Sequence, residues 1–405
     1  MSIPYVRGKS IFNCINTVPK QYPYLVKDIE TEVIIVGGGA TGAILGYYFT
    51  KNGIPSVVLE KSRIAHCSTG ITTSLLQYEL DSRLEELKNY GSLDKFINAY
   101  KLGLKALDEI KDFIDAYGNK CDYKVRDTLF YTSKSLEYNQ VENEYKLRQD
   151  SGFDVEFITP SNNPFSFNVE AGVYSINGGA ELDPYKFTHQ LLDASTQNGL
   201  RVYENSEVID VNFLENEVEA ITKYNHKVKG KILIVATGYN TSLFTNRNFG
   251  TKYTTFNVAT KPLKEIKGWH NNALIRDNKG TYNYFRTTND NRIIAGGEDI
   301  SFLPDIFNEK AARESYDILE QKIKHMFPSI PNIQIEYKYC GTFASTKDNL
   351  GFIGKDPKQD KLLYCLGYGA NGILFAILGG LMLPNLYKGS YNTDLDLFKV
   401  DRFDS

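Results

Sequence analysis

Little in this sequence suits a metal centre, a disulfide scaffold or a nucleic-acid surface. Five cysteines in 405 residues, Cys14, Cys67, Cys121, Cys340 and Cys365, form no C-x-x-C pair and are too sparse for a disulfide framework. They read as reduced thiols, and the missing redox pair excludes a disulfide reductase. Histidine is equally scarce: His189, His226, His270 and His325 belong to no motif and read as packed or surface side chains. Forty-six basic residues oppose 49 acidic ones, for a net charge of −3, with no basic block long enough to track a phosphate backbone. No nucleic-acid partner is expected. The longest apolar run, residues 373–383, is interrupted by Gly379 and Gly380 and is too short for a bilayer core of about 30 Å. The first thirty residues contain prolines and no unbroken apolar segment, so neither a signal peptide nor a transmembrane span is expected there, and the cytoplasm is the expected location. What is present is 42% hydrophobic content in a long chain, enough for a large core divided between two domains.

Residues 33–42 read VIIVGGGATG, a β-branched run that breaks into glycines. The run is continuously apolar, as in a parallel strand covered on both faces. Gly37, Gly39 and Gly42 satisfy G-x-G-x-x-G, and the helical pattern that follows closes at Lys51-Asn52-Gly53. A second strand, SVVLE, ends on Glu60. Gly37 permits the tight turn, Gly39 lets a pyrophosphate approach the backbone, and Gly42 lets the helix pack against the strand. Amides at the helix start bind phosphate, and Glu60 accepts from a ribose. A purely structural glycine turn would leave Glu60 unexplained. The unit fits a dinucleotide but leaves NAD and FAD open.

Beyond Glu60, Lys61 and Arg63 precede a run of small polar residues, KSRIAHCSTGITTS, suited to contacts with a second phosphate or a ring. An ordinary polar loop capped by Ser68 or Thr69 is the plainer alternative. Residues 82–117 are amphipathic and predict a helix; DTLFYTS predicts a strand, and residues 134–152 a helix closed by glycine. A helix from Pro184 to Gly199 and two strands follow, then ILIV and the small-residue turn Ala236-Thr237-Gly238. In YNYFRTT the two-residue period places Tyr282, Tyr284 and Arg286 on one face, an arginine among tyrosines that suits an anion or an aromatic group. Pairing of Arg286 with an acid such as Asp299 is the alternative. Near the end, YCLGYGANGILFAILGG again runs strand, glycine turn, helix.

Taken in order, GGGATG with Glu60, STGITTSLLQYELD, GGAELDPYKFTHQLL, IVATG, YFRTTNDNRIIAGGED, GTFASTKDNLGFIG and GYGANGILFA resemble the FAD-dependent D-amino-acid oxidase superfamily, which includes glycine, sarcosine and γ-glutamylputrescine oxidases. The resemblance covers roughly residues 30–388. It implies a Rossmann-like FAD-binding domain, α/β, with a second α+β domain built on an antiparallel sheet. The FAD domain would take residues 30–81, 181–250 and 338–390, the substrate domain 82–180 and 251–337, with residues 1–29 as an N-terminal arm and 391–405 as a tail. It places Gly37, Gly39, Ala40, Thr41 and Gly42 at the pyrophosphate and Glu60 at the ribose. Lys61, Arg63, Ser68, Thr69, Thr72 and Thr73 would lie along the phosphates, ribityl chain or ring. Val208, Ala236, Thr237 and Gly238 would flank the adenosine half, and Gly369, Ala370, Asn371, Gly372 and Ile373 would bring the last helix to the ring. There its dipole would stabilise negative charge on a reduced flavin.

The implied reaction is oxidation of a C–N bond by hydride transfer to FAD N5, with an amine or amino acid as substrate and oxygen or another compound as electron acceptor. Arg286, Tyr284, Tyr282 and His66 are the candidate substrate-side residues. Where the superfamily's amino-acid oxidases place carboxylate-binding arginines, this sequence has Phe343 and Ala370, which argues against the same clamp. Cys340, His66 and Cys67 lie near positions used for covalent flavin attachment, but Cys340 is out of register by one residue, and non-covalent FAD is expected. Two alternatives remain: oxidation of a 2-hydroxy acid or alcohol, with His66 taking the hydroxyl proton, and a non-catalytic subunit that holds FAD and passes electrons onward.

Overall fold

The computed structural model describes residues 6–303, 307–369 and 371–404. Three sheets organise the chain. The first has six strands in the order Phe352–Lys355, Leu362–Leu366, Ile232–Val235, Val33–Val36, Ser56–Leu59, Arg201–Tyr203, all parallel except the first. Its central strands are buried along their whole length, which is why they read as unbroken apolar runs. The Ala40–Lys51 helix and the largely apolar Gly372–Tyr387 helix lie against this sheet, and Gly380 leaves the Tyr48 ring the space a Cβ would fill. A four-stranded sheet built on the 208–230 meander lies beside it.

The second large sheet has ten strands. Its pairs are antiparallel except where Leu274–Asp277 runs parallel to residues 128–131. A Rossmann-like parallel layer and a largely antiparallel sheet, the expected fold class, are both present. The strand Ile335–Ser345 pairs with Thr251–Thr260 up to the Thr251 and Ser345 partners, so the expected boundary at 338 cuts a strand of the large sheet. Leu75–Gln77 pairs with residues 179–181 and also belongs to the large sheet.

The expected helix over residues 82–117 is two pieces. A turn at Leu84–Leu87 is separated by Gly91 from Leu93–Tyr117, whose first turn is capped by the Ser92 hydroxyl accepting from the Lys95 amide. The described part of the N-terminal arm is folded onto the protein. Val6–Gly8 pairs with residues 339–341, Ile11 and Phe12 are buried, and Ile29–Glu30 extends the four-stranded sheet. The tail is anchored by Arg402, which forms a bidentate pair with buried Asp348 at 2.9 and 3.0 Å and stacks on Phe352.

Candidate active site

The glycine turn ends the central strand where the parallel sheet's order reverses, the position at which open α/β sheets bind nucleotides. Gly37 has φ +117° and lies against the Ala236 carbonyl, and a Cβ on Gly42 would run into the Gly37 carbonyl. The turn's own hydrogen bonds are selective. Gly37 N–H donates to Leu59, Gly38 N–H to Glu60 Oε2 at 2.7 Å, and Ala40 N–H to the Thr69 hydroxyl at 2.9 Å. The amides of Gly39, Thr41 and Gly42 have no partner among the described residues. Ala40, expected to donate to phosphate, is therefore already engaged by Thr69. Three free amides at the start of a twelve-residue helix remain as an anion seat. Glu60 is nearly buried; its Oε1 also accepts from the Ser62 amide at 2.8 Å, so it shapes the turn as well as facing it.

From this turn a cleft with a cavity volume of about 190 Å³ runs between the two large sheets. One wall is the nucleotide side: Ala40 and Thr41, the segment of Ser68, Thr69, Thr72 and Thr73, then Gly238, Gly369, Gly372 and Ile373. Asn371 donates to the Glu79 carbonyl at 3.0 Å while its Oδ1 is buried without a partner. Ala370 lies outside the described residues. Val208 and Ala236 are buried beside the first strand, and Thr237 closes its own turn by donating to the Asn240 carbonyl. Lys61 and Arg63 are exposed and line no part of the cleft.

The opposite wall is the large sheet. One row of register partners crosses it: Phe130, Arg276, Tyr284, Gly296, Asn257, Tyr339. Partners in a row share a face. Gly296 is required there, because a Cβ would collide with the Tyr284 ring and the Asn257 amide. Tyr284 consequently lies across the strand, its hydroxyl 3.2 Å from Thr255 Oγ1 and 3.3 Å from Asn257 Oδ1. Tyr282 donates to Asp81 Oδ1 at 2.7 Å. Burial and the nearby Asp81 and Asp299 charges hold the Tyr282 phenol well above its usual range, and both tyrosines are neutral donors.

Arg286 shares the face of Tyr282 and Tyr284, as the two-residue period requires, but it is not in the cleft. Its Nη1 donates to the carbonyls of Thr73, Ser74 and Leu182 at 3.0, 3.0 and 2.9 Å, and its Nε lies 3.8 Å from Glu181. It ties down the segment that forms the nucleotide wall, and its acid partner is Glu181 rather than Asp299. The cleft arginine is Arg276, which the sequence did not single out. It is 3% exposed, sits between the rings of Phe130 and Tyr282 at 4.7 and 5.4 Å, and donates from Nη1 to the Asp81 carbonyl. Its Nε and Nη2 are buried without partners.

His66 is likewise displaced from its expected place. It lines a separate small cavity with His189, Tyr22 and Glu204, and its Nδ1 contacts the Ile64 carbonyl. Cys340 lies in the apolar layer behind the large sheet, and neither it nor Cys67 lines the cleft. FAD extracted by acid precipitation is therefore expected in the supernatant; flavin that stays with the precipitated chain would contradict this placement.

A family model described as FAD dependent oxidoreductase matches residues 32–386. The chain belongs to that family. It is accordingly a flavoprotein, and the free amides and the long cleft fit FAD. Among relatives, the putative Rieske 2Fe-2S iron-sulfur protein YhfW of Bacillus subtilis is 22% identical over 389 residues, 94% of this chain and 73% of that one. Gamma-glutamylputrescine oxidoreductase of Escherichia coli is 25% identical over 390 residues, 90% of this chain and 85% of that one. The solved structure of L-proline dehydrogenase from P. horikoshii superposes with a TM-score of 0.78 over 94% of this chain and 99% of that one, at 19% identity, a likeness of fold. No helix among the described residues is long and apolar enough to cross a membrane.

Proposed function

We propose that this FAD dependent oxidoreductase oxidises a C–N bond in an amine or amino acid, leaving an imine that water hydrolyses. The observation that carries this reading is the pairing of walls. A nucleotide side with free helix-start amides faces a sheet that presents Arg276, Tyr282, Tyr284 and Asp299 into the same cleft. When bound, FAD supplies the two-electron acceptor, its N5 taking the hydride. The chain's residues hold and orient. The amides of Gly39, Thr41 and Gly42 receive the pyrophosphate, Glu60 the ribose, and the segment of Thr72 and Thr73, fixed from behind by Arg286, receives the ring side. Arg276 binds an anionic or strongly polar group of the substrate through Nε and Nη2, and the tyrosine pair fixes the rest by packing and by its tethered hydroxyls. Positioning and exclusion of water are what hydride transfer from a neutral amine demands of the protein.

The hydroxy-acid reading loses its candidate base, since His66 faces another cavity. Oxygen or another compound is the electron acceptor, and readmitting air to the reduced protein distinguishes them. The reaction is tested by trapping the product. A carbonyl compound and released ammonia or amine, identified by mass spectrometry after derivatisation, are expected; a carbonyl formed from a hydroxy acid with no nitrogen released would replace this reading.

A further inference from the structure

The two ends of the substrate wall carry opposite charge, and neither is in a direct ion pair among the described residues, although Glu86 lies within electrostatic range of Arg276. Asp299 lines the cleft with its Oδ1 buried and unpartnered, and it is in no ion pair among the described residues. Among the described residues, the Thr255 hydroxyl hydrogen-bonds to it. Neighbouring Glu298 is served by Lys322 at 3.9 Å, a lysine that also pairs with Asp277 at 3.1 Å. Arg276 marks the other end, with two unpartnered nitrogens in a side chain that is 3% exposed. The register separates these ends. Arg276 pairs with Tyr284 and Tyr284 with Gly296, two strand spacings, and Asp299 lies three residues further along. At about 4.8 Å between strands and about 3.3 Å per residue, the two Cα atoms are roughly 14 Å apart. Arg276 is not among the charges acting on Asp299, and a substrate whose cationic and anionic groups stand further apart than those of a simple α-amino acid suits that separation.

We propose that the substrate carries, besides the C–N bond that is oxidised, a terminal ammonium seated on Asp299, with its anionic or polar end on Arg276. This rests on the C–N reading above. The walls between the two ends suit such a chain: the Tyr282 and Tyr284 rings, 5.9 Å apart with their hydroxyls tethered, offer aromatic faces to a cation. Burial, with the like charges of Asp81 and Glu298, pushes Asp299 up to about 6, so its ionised form is under strain that a bound cation relieves. The groups facing it are Asp81, Glu298, Thr255 and the two neutral phenols, and cation binding is therefore expected to fall as pH drops through about 6.

The test uses the flavin-loaded full chain and two ligands that cannot be oxidised to an imine, 6-(trimethylammonio)hexanoate and its uncharged-tail isostere 7,7-dimethyloctanoate. Binding is read from the shift of the flavin absorption and from thermal unfolding. The charged tail is expected to bind at least ~10-fold tighter, the factor of one partly desolvated ionic or cation–π contact, and Asp299→Asn and Asp299→Ser are each expected to abolish the difference. Equal binding of the two ligands by the unmodified protein, or a preference that survives both substitutions, overturns the proposal. In parallel, anaerobic flavin reduction is compared for D- and L-lysine against D- and L-norleucine. Faster reduction by lysine is expected; equal rates overturn the terminal-ammonium seat while leaving C–N oxidation standing. A binding preference with no reduction by any amine supports the seat and rejects the C–N reading.

Discussion

Arg286→Met is expected to lower stability by about 3–5 kcal/mol, whereas Arg276→Met is expected to leave the fold and the flavin in place and to slow substrate-driven flavin reduction by roughly 10²- to 10³-fold. The contrast follows from where each guanidinium spends its donors. Removing Arg286 strands four carbonyls, of Thr73, Ser74, Leu182 and Thr287, and leaves Glu181 with Arg126 at 2.8 Å as its remaining cation among the described residues. The segment it secures is the wall expected to receive the flavin ring, so flavin retention should fall with stability. Removing Arg276 strands one carbonyl, that of Asp81, and withdraws two nitrogens that no described residue uses. Chemical denaturation with flavin fluorescence measures the first effect, and anaerobic stopped-flow absorbance the second. An Arg286 variant as stable as the parent would refute its anchoring role; an Arg276 variant with unchanged kinetics would remove it from the substrate site.

Gly42→Val should yield protein that binds FAD at least ~100-fold more weakly, about 3 kcal/mol. The Cβ would occupy the place of the Gly37 carbonyl, so the turn must open and its free amides move apart. Gly280→Ala is the control: it is exposed, and a Cβ there meets nothing within 4 Å. Fluorimetric titration of flavin-free protein with FAD compares the two. Parent-like affinity in Gly42→Val would mean that the glycine turn does not hold the cofactor.

How much of this was legible in the sequence depended on whether local pattern or long-range contact decides. The parallel strands were legible because burial on both faces forces continuous apolar runs, and the glycine turn because close approach leaves no room for Cβ. The shared face of Tyr282, Tyr284 and Arg286 followed from the strand period. What the period cannot show is that residues 73–74 and 182, distant in sequence, cover Arg286 with carbonyls. Arg276 was missed because LIRD belongs to no motif. An arginine that follows the apolar pair Leu274-Ile275 within a short strand is itself a sign of a buried charge, and that sign was available. Asp299 was weighed only as an ion-pair partner for Arg286. Its position on the cleft depends on the bulge at Gly297 and Glu298, both at positive φ, which shifts the register of the strand after its GG pair. His66 was placed by proximity to Glu60 along the chain, but the 61–66 loop turns its ring toward Tyr185 and the second cavity.

The central claim is that electrons enter the flavin from an amine carbon. The most direct measurement is anaerobic mixing of the flavin-loaded protein with matched amines, D- and L-amino acids, N-methyl amines and 2-hydroxy acids, following loss of the oxidised flavin's visible absorption. Bleaching by one or more nitrogen compounds, and not by their hydroxy counterparts, is the predicted result. Bleaching by hydroxy acids alone, or by no member of the panel, would contradict it.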